Sequence, residues 1–318
     1  MKQWSTKDLT VVRPPAHGKP GEGIMRFSDR YSVFDYGVLA DRIPGKGAAS
    51  CAMAVRSFAL FEKAGVRTHF LEQVADDAIR IQLLDIDTDG SKGPTGPGRT
   101  VPLQVIYRLA LPRESSVHRR ARQGTLDAST VPPYREAPWL ATPMVEFTTK
   151  YEETDRFVSR AEAARVGAVS DSDLAELAGL AERVAEVLDE HCQDVGLTLV
   201  DGKAEFGYDG DRQPILIDHA GTPDENRFYF RGVPVCKELL RYLHPGLREV
   251  VQDLVARRVP REDWPVQPNL DPELVAAAAA VYAELAAVWN GAALTGLTTA
   301  IEDFKRTCGS DLGDRTGL

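Results

Sequence analysis

Three carboxylates and a lysine recur at a spacing that chemistry can use. In Leu199-Val200-Asp201-Gly202-Lys203-Ala204-Glu205-Phe206 the charged residues alternate with small or apolar ones. Alternate side chains of a strand share a face, so Asp201, Lys203 and Glu205 are expected to point the same way. A second β-prone run, residues 214–218, follows across Asp209-Gly210, a pair suited to a tight hairpin turn. With that pair at the centre of the turn, the pairing sets Asp201 opposite Asp218, with Glu205 further along on the same face. Carboxylates this close repel one another unless a cation neutralises them. Hard oxygen donors of this kind suit Mg²⁺, commonly held by one or two carboxylates together with substrate phosphates. Thr222-Pro223-Asp224-Glu225-Asn226-Arg227 then delivers an arginine beside the cluster, as an anion site requires. On spacing alone, a solvated strand face without chemistry explains the alternation equally well.

A second polar cluster follows the strand-like residues 101–109. Arg108, Arg113, Arg119 and Arg120, with Ser115 and Ser116, form the most basic patch of an acidic chain. Guanidinium forks and hydroxyls suit a phosphate or a carboxylate. Further on, Thr142-Pro143-Met144-Val145-Glu146-Phe147 leads to Lys150 and the acids Glu152, Glu153 and Asp155.

Taken together, these blocks resemble SAICAR synthetase, the phosphoribosylaminoimidazole-succinocarboxamide synthase family. The hairpin and its turn carry the resemblance as Val200-Asp201-x-Lys203-x-Glu205-Phe206-Gly207, Asp218 and Thr222-Pro223-Asp224-x-x-Arg227-Phe228. Phe27-Ser28-Asp29-Arg30, Ser32-Val33-Phe34-Asp35 and Ile43-Pro44-Gly45-Lys46-Gly47 are similar to another block of the same family. The resemblance implies an α+β fold, ATP-grasp- or kinase-like, with antiparallel sheets flanked by helices and a cleft between two lobes. Residues 1–99 would form a β-rich nucleotide-binding lobe, and 100–318 a substrate- and metal-binding lobe with C-terminal helices.

The implied activity is that of an ATP-dependent carbon–nitrogen ligase. ATP phosphorylates a carboxylate, that of carboxyaminoimidazole ribonucleotide, and the amine of L-aspartate displaces phosphate. ATP and Mg²⁺ are the implied cofactors. Glu205 and Asp218 would bind the metal, and Lys203, Asp201 and Arg227 would act at the reacting groups. Lys150, Lys203, Glu205 and Asp218 would hold the nucleotide. Arg108, Ser116, Arg120, Asp155, Arg227 and Lys46 would hold the other substrates. The family's Gly-Lys-x-x-x-x-Tyr loop over the ATP phosphates has no plain match here. The nearest stretch is His17-Gly18-Lys19-Pro20-Gly21-Glu22-Gly23, which makes Lys19 the candidate. The segment from Arg108 to Ser116 is slightly longer than the family pattern, with Pro112-Arg113-Glu114 in place of small residues. Those departures favour an alternative, a paralogue in specialised nucleoside-type metabolism that takes another carboxylate or amine. A third reading, a non-catalytic binding protein on the same fold, is disfavoured by the retained Lys203, Glu205, Asp218 and Arg227.

The rest of the chain must position these residues. Apolar periodicity predicts helices over 48–63, 173–192, 274–289 and 297–306, with Asp173 capping the second. Residues 235–259 read as two helical pieces broken at Pro245. Strands are expected at 67–73 and 78–85, and the Gly- and Pro-rich stretch 87–100 reads as a loop or flap. His191 reads as structural. The 318 residues are 43% hydrophobic and 27% charged, ordinary for a globular chain, and the net charge of −9 argues against nucleic-acid or anionic-membrane binding. No apolar run reads as a membrane span, and MKQWSTKDLT lacks the apolar core of a signal peptide. Four scattered cysteines without a Cys-x-x-Cys pair suit free thiols in the cytoplasm. The partners expected are small molecules, with homo-oligomerisation left open.

Overall fold

The computed structural model describes residues 2–33, 36–88, 91–112, 115–126, 139–152 and 155–309. Phe34, Asp35, Arg113, Glu114 and Glu153 of the motifs above lie outside them. A first antiparallel sheet is built from β1 (Lys2–Gln3), β2 (Lys7–Arg13), β3 (Gly21–Phe27), β6 (Phe70–Ala75) and β7 (Ala78–Leu83), in the order β1-β2-β3-β7-β6. Alternation in β3 buries Met25 and Phe27 on the inner face. A short ribbon, β4 (Ser32–Val33) with β5 (Gly37–Val38), leads to helix α1 (Lys46–Lys63). Asp29 accepts hydrogen bonds from the amides of Gly45 and Gly47 (3.2 and 2.9 Å), so it occupies the start of that helix.

The second sheet takes β8 (Thr100–Ala110), β9 (Trp139–Thr149), β10 (Phe157–Val158), β11 (Thr198–Tyr208), β12 (Pro214–Ile217), β13 (Asn226–Phe230) and β14 (Val233–Pro234). Its order is β10-β9-β8-β11-β13-β14, with β12 pairing the far half of β11. β11 is therefore flanked on both sides along its length. Asp201 pairs with Arg108 on β8 and with Arg227 on β13, while Glu205 pairs with Gln104 and with Ile217. The expected register is wrong: Asp218 does not face Asp201. The connection from β11 to β12 runs over 209–213 rather than through a two-residue turn. The Asp209 carboxylate accepts from the amides of Asp211 and Gln213 (2.9 and 2.8 Å), and Arg212 adopts φ 58°. An aspartate that bonds its own following amides builds a longer turn than Asp-Gly alone suggests.

Helices α2 (Ser116–Arg122), α3 (Arg160–Gly167) and α4 (Asp171–Asp194) follow β8, β10 and α3 in turn. Ser170, not Asp173, is the N-cap of α4, with Asp173 closing a capping box from the third position. The expected stripe Leu174, Leu177, Ala181, Val184 and Leu188 is buried. The break at Pro245 separates α5 (Lys237–Arg241) from α6 (Leu247–Ala256), and α7 (Pro272–Trp289) and α8 (Thr295–Cys308) complete the described chain. By length and composition α7 could cross a membrane, which the sequence reading did not expect. It packs instead on α1 and α8, with Tyr282, Leu285 and Trp289 in the core. Trp289 donates to Ser57 (3.2 Å), and its carbonyl bonds the His191 ring (2.9 Å), so His191 is structural. The loop expected as a flap is tied down: Lys92 pairs with Asp85, Arg99 with Asp87, and the Gly98 amide bonds the Asp209 carbonyl.

Candidate active site

Two adjoining cavities meet at the β1–β2 turn, the smaller between the sheets and the larger over the second sheet beside α2, α5 and α6. The smaller, about 230 Å³, has apolar walls that include Leu9, Met25, Ile81, Leu83 and Ile217, and an ionic end with Lys7, Lys150, Lys203, Glu205 and Asp218. The larger, about 740 Å³, is strongly polar, with Arg108, Ser116, Arg119, Asp155, Asp201 and Arg227 in its wall. Ser5, Thr6, Gln104, Lys203 and Glu225 belong to both. A flat apolar body with a polyanionic tail suits the first; a ligand rich in phosphate or carboxylate suits the second.

β11 supplies Asp201, Lys203 and Glu205 to this boundary, as its alternation predicts. Both oxygens of Asp201 are taken: Arg227 Nε donates to Oδ1 (2.7 Å) and Arg108 Nη1 to Oδ2 (2.9 Å). Burial opposes ionisation of Asp201, but Arg227 and Arg108 outweigh it and hold the carboxyl below the ordinary range. Arg108 also donates to Glu146 (3.0 Å) and Ser116 (3.3 Å). Lys203 Nζ stands 3.4 Å from Glu205 and 3.1 Å from Glu225, and Lys150, just past the end of β9, pairs with Glu205. Burial, and then the neighbouring Lys7 and Lys203, lower the Lys150 pKa well below that of a free lysine.

Asp218 follows β12 in the left-handed region, φ 66°, a conformation that costs a non-glycine residue about 1–2 kcal/mol. Its surroundings fix it there. His69 donates from Nε2 to the Asp218 carbonyl (2.9 Å), and Lys7 pairs with the carboxylate. Burial holds His69 neutral, with its pKa down at about 3. His219, fully buried, is likewise held well below its usual value by burial.

Several expected residues do not reach the cavities. Lys46 is completely buried, 2.6 Å from Asp224 and beneath the Tyr282 ring, where it braces the 222–226 turn rather than a substrate. Arg120 pairs with Glu146 and lies 3.6 Å from the Phe157 ring centre; Arg119 and Arg122 line the larger cavity in its place. Lys19 sits at the tip of the β2–β3 hairpin, bonded through its backbone to Ala16, and lines neither cavity.

The residues missed are Lys7, Glu225, His219 and Lys237. Lys7 opens β2, directly after the Trp4–Thr6 turn that roofs the smaller cavity. The first hairpin thus begins at residue 2, and no glycine marks its turn. Burial lowers the Lys7 pKa to about 7, against the opposing charge of Glu225. Glu225 fell in an unassigned place of the Asp-x-x-Arg string. Burial would raise its carboxyl, but Lys203 foremost holds it below the usual range.

Comparison with known proteins identifies the relatives of this chain. The family model for SAICAR synthetase matches residues 16–237. A curated relative from Archaeoglobus fulgidus, provisionally named a phosphoribosylaminoimidazole-succinocarboxamide synthase, is 35% identical over 290 residues, covering 85% of this chain and 87% of its own. Among solved structures, a type-2 SAICAR synthetase in complex with ADP superposes with a TM-score of 0.60 at 24% identity, covering 83% of this chain and 98% of that one. The Saccharomyces cerevisiae SAICAR synthase complexed with SAICAR gives 0.65 at 19% identity, covering 92% and 95%. The structural likenesses speak to the fold alone. The match across more than half of the chain, with the identity to the archaeal relative, settles descent: the chain belongs to the SAICAR synthetase family.

Proposed function

We propose that the chain joins the carboxylate of carboxyaminoimidazole ribonucleotide to the amine of L-aspartate at the expense of ATP. The observation that carries this reading is the shared wall of the two cavities. An apolar slot ending in lysines and an arginine-rich basin meet at Lys203 and Glu225. A nucleotide in the slot places its terminal phosphate where a carboxylate held in the basin can take it.

The γ-phosphoryl group passes to a carboxylate oxygen with ADP as leaving group. The amine then attacks the acyl carbon, loses a proton, and inorganic phosphate departs. Lys7, Lys150 and Lys203 stabilise the charge that builds on the transferring group, and Arg108, Ser116 and Arg227 hold the anionic substrate. Asp201 orients the two arginines rather than meeting substrate. Asp155, in the basin wall, is available to the amine substrate. The residues present fit a divalent cation, since the Asp218 and Glu225 carboxylates converge with the buried His219 imidazole, whose Nε2 makes no hydrogen bond, and Glu205 lies in the same cavity wall. When bound, such a cation neutralises phosphate charge and aligns it for in-line transfer.

The test is phosphate release from ATP against a panel of carboxylates and amines. Release that requires both carboxyaminoimidazole ribonucleotide and aspartate supports the reading. Release with another pair, and none with these, replaces it with the paralogue.

A further inference from the structure

Resting on the reading above, we propose that the cation site is formed by Asp218, His219 and Glu225, and that its imidazole selects Mn²⁺-like cations over Mg²⁺. Of the pair expected from the sequence, Glu205 with Asp218, Glu205 pairs with Lys150 and Lys203 and is not among the side chains whose donor atoms cluster. One donor atom each from Asp218, His219 and Glu225 lies within 4.8 Å of the others. His219 Nε2 is 3.4 Å from Asp218 Oδ1 and 3.8 Å from Glu225 Oε1. Two donors about 2.1–2.2 Å from a common ion, at angles near 90–120°, lie about 3.0–3.8 Å apart. The imidazole is thus already at ligand spacing from each of the two carboxylates.

A second observation points to an occupant. His219 has no exposed surface, yet its Nε2 makes no hydrogen bond. A buried polar nitrogen left without a partner is costly, and a metal bond would offset that cost. The ring is fixed from its other side, with Nδ1 2.8 Å from Thr222 Oγ1. Donation from Nδ1–H to the hydroxyl leaves the Nε2 lone pair facing the carboxylates, the usual way an outer partner sets a ligating tautomer. Phe27 packs edge-on, 5.2 Å between ring centres, and limits rotation. An all-oxygen set would suit Mg²⁺, whereas an imidazole among carboxylates shifts preference toward Mn²⁺ or Co²⁺. Lys7 holds the same Asp218 oxygen that faces His219. Metal entry must therefore displace Lys7 from that oxygen.

The full chain is titrated with Mn²⁺ alone, and the bound ion is examined by pulsed electron paramagnetic resonance for coupling to nitrogen. The expected result is one imidazole coupling, with Mn²⁺ bound at least about ten-fold more tightly than competing Mg²⁺. His219→Asn should abolish the coupling and weaken Mn²⁺ about ten-fold or more, with Mg²⁺ affinity little changed. Bound Mn²⁺ without nitrogen coupling, or no preference over Mg²⁺, overturns the proposal. If the variant does not fold, ¹⁵N-histidine labelling of the unaltered protein decides, because the coupling must change with the isotope. Ligation without nitrogen coupling sinks this inference and spares the ligase reading. Nitrogen coupling without ligation does the reverse.

Discussion

Asp201 shows how much a single residue can organise through its hydrogen-bond partners. Its two oxygens hold Arg227 and Arg108 in place, and Arg108 passes the constraint on to Glu146 and Ser116. Arg227→Ala should therefore raise KM for the carboxylate substrate more than KM for ATP, measured by initial rates. It should also lower stability, because removing one partner of a buried pair strands the other, typically at about 3–5 kcal/mol. Arg108 still pairs with Asp201 in that variant, so the loss should fall at the lower end. A larger effect on ATP than on the carboxylate would remove Arg227 from the basin. Glu205 belongs to the other side of the boundary. Glu205→Gln should abolish ATP consumption while circular dichroism stays unchanged, since Lys150 is free to turn into the cleft. Full turnover in that variant would remove Glu205 from the catalytic machinery.

At the scale of elements, strand alternation made the shared face of Asp201, Lys203 and Glu205 readable in the sequence, but not which strand each would meet. The register depended on a five-residue connection built by the Asp209 side chain, and side-chain bonds of that kind leave no periodic trace. Lys7 was unreadable for a related reason: β1 spans two residues and its turn lacks glycine. β11 carries its own constraint at Gly202. A Cβ there would lie 2.5 Å from the Tyr107 hydroxyl and closer still to the Asn226 amide. Asn226 in turn accepts from the Gly221 amide (2.7 Å) and fixes the turn that presents Glu225. Gly202→Ala should lower the melting temperature and activity together; a variant unchanged in both would show that the turn tolerates displacement. Helix α4 offers a pH test. Arg212 chiefly holds the Asp173 carboxyl at about 2. A depressed folded pKa contributes stability above the unfolded value near 3.9, and loses it as pH falls toward 2. Asp173→Asn should flatten the stability profile over that window, modestly, since Arg212 is well exposed. An identical slope in the variant would place the acid sensitivity elsewhere.

For the whole molecule, the two sheets share one hydrophobic cluster that runs from Leu9 and Met25 through Phe206 and Phe228 to Trp289 and Phe304. Backbone joins them as well: the Thr68–Leu216 bridge links the approach to β6 with β12. Trp289 ties α7 to α1 through Ser57, and to α4 through His191. Lobes so connected should not melt separately, although the cleft between them invites that expectation. Heating should give a single cooperative transition by calorimetry, with the same midpoint by far-ultraviolet and tryptophan signals. Both sheets line the smaller cavity, so a nucleotide bound there stabilises the entire fold. At about 100 times its Kd, ADP should add about 2.7 kcal/mol and move that one transition up by several degrees. Two resolved transitions, of which ADP moves only one, would show that the lobes fold independently and that the nucleotide rests on one of them.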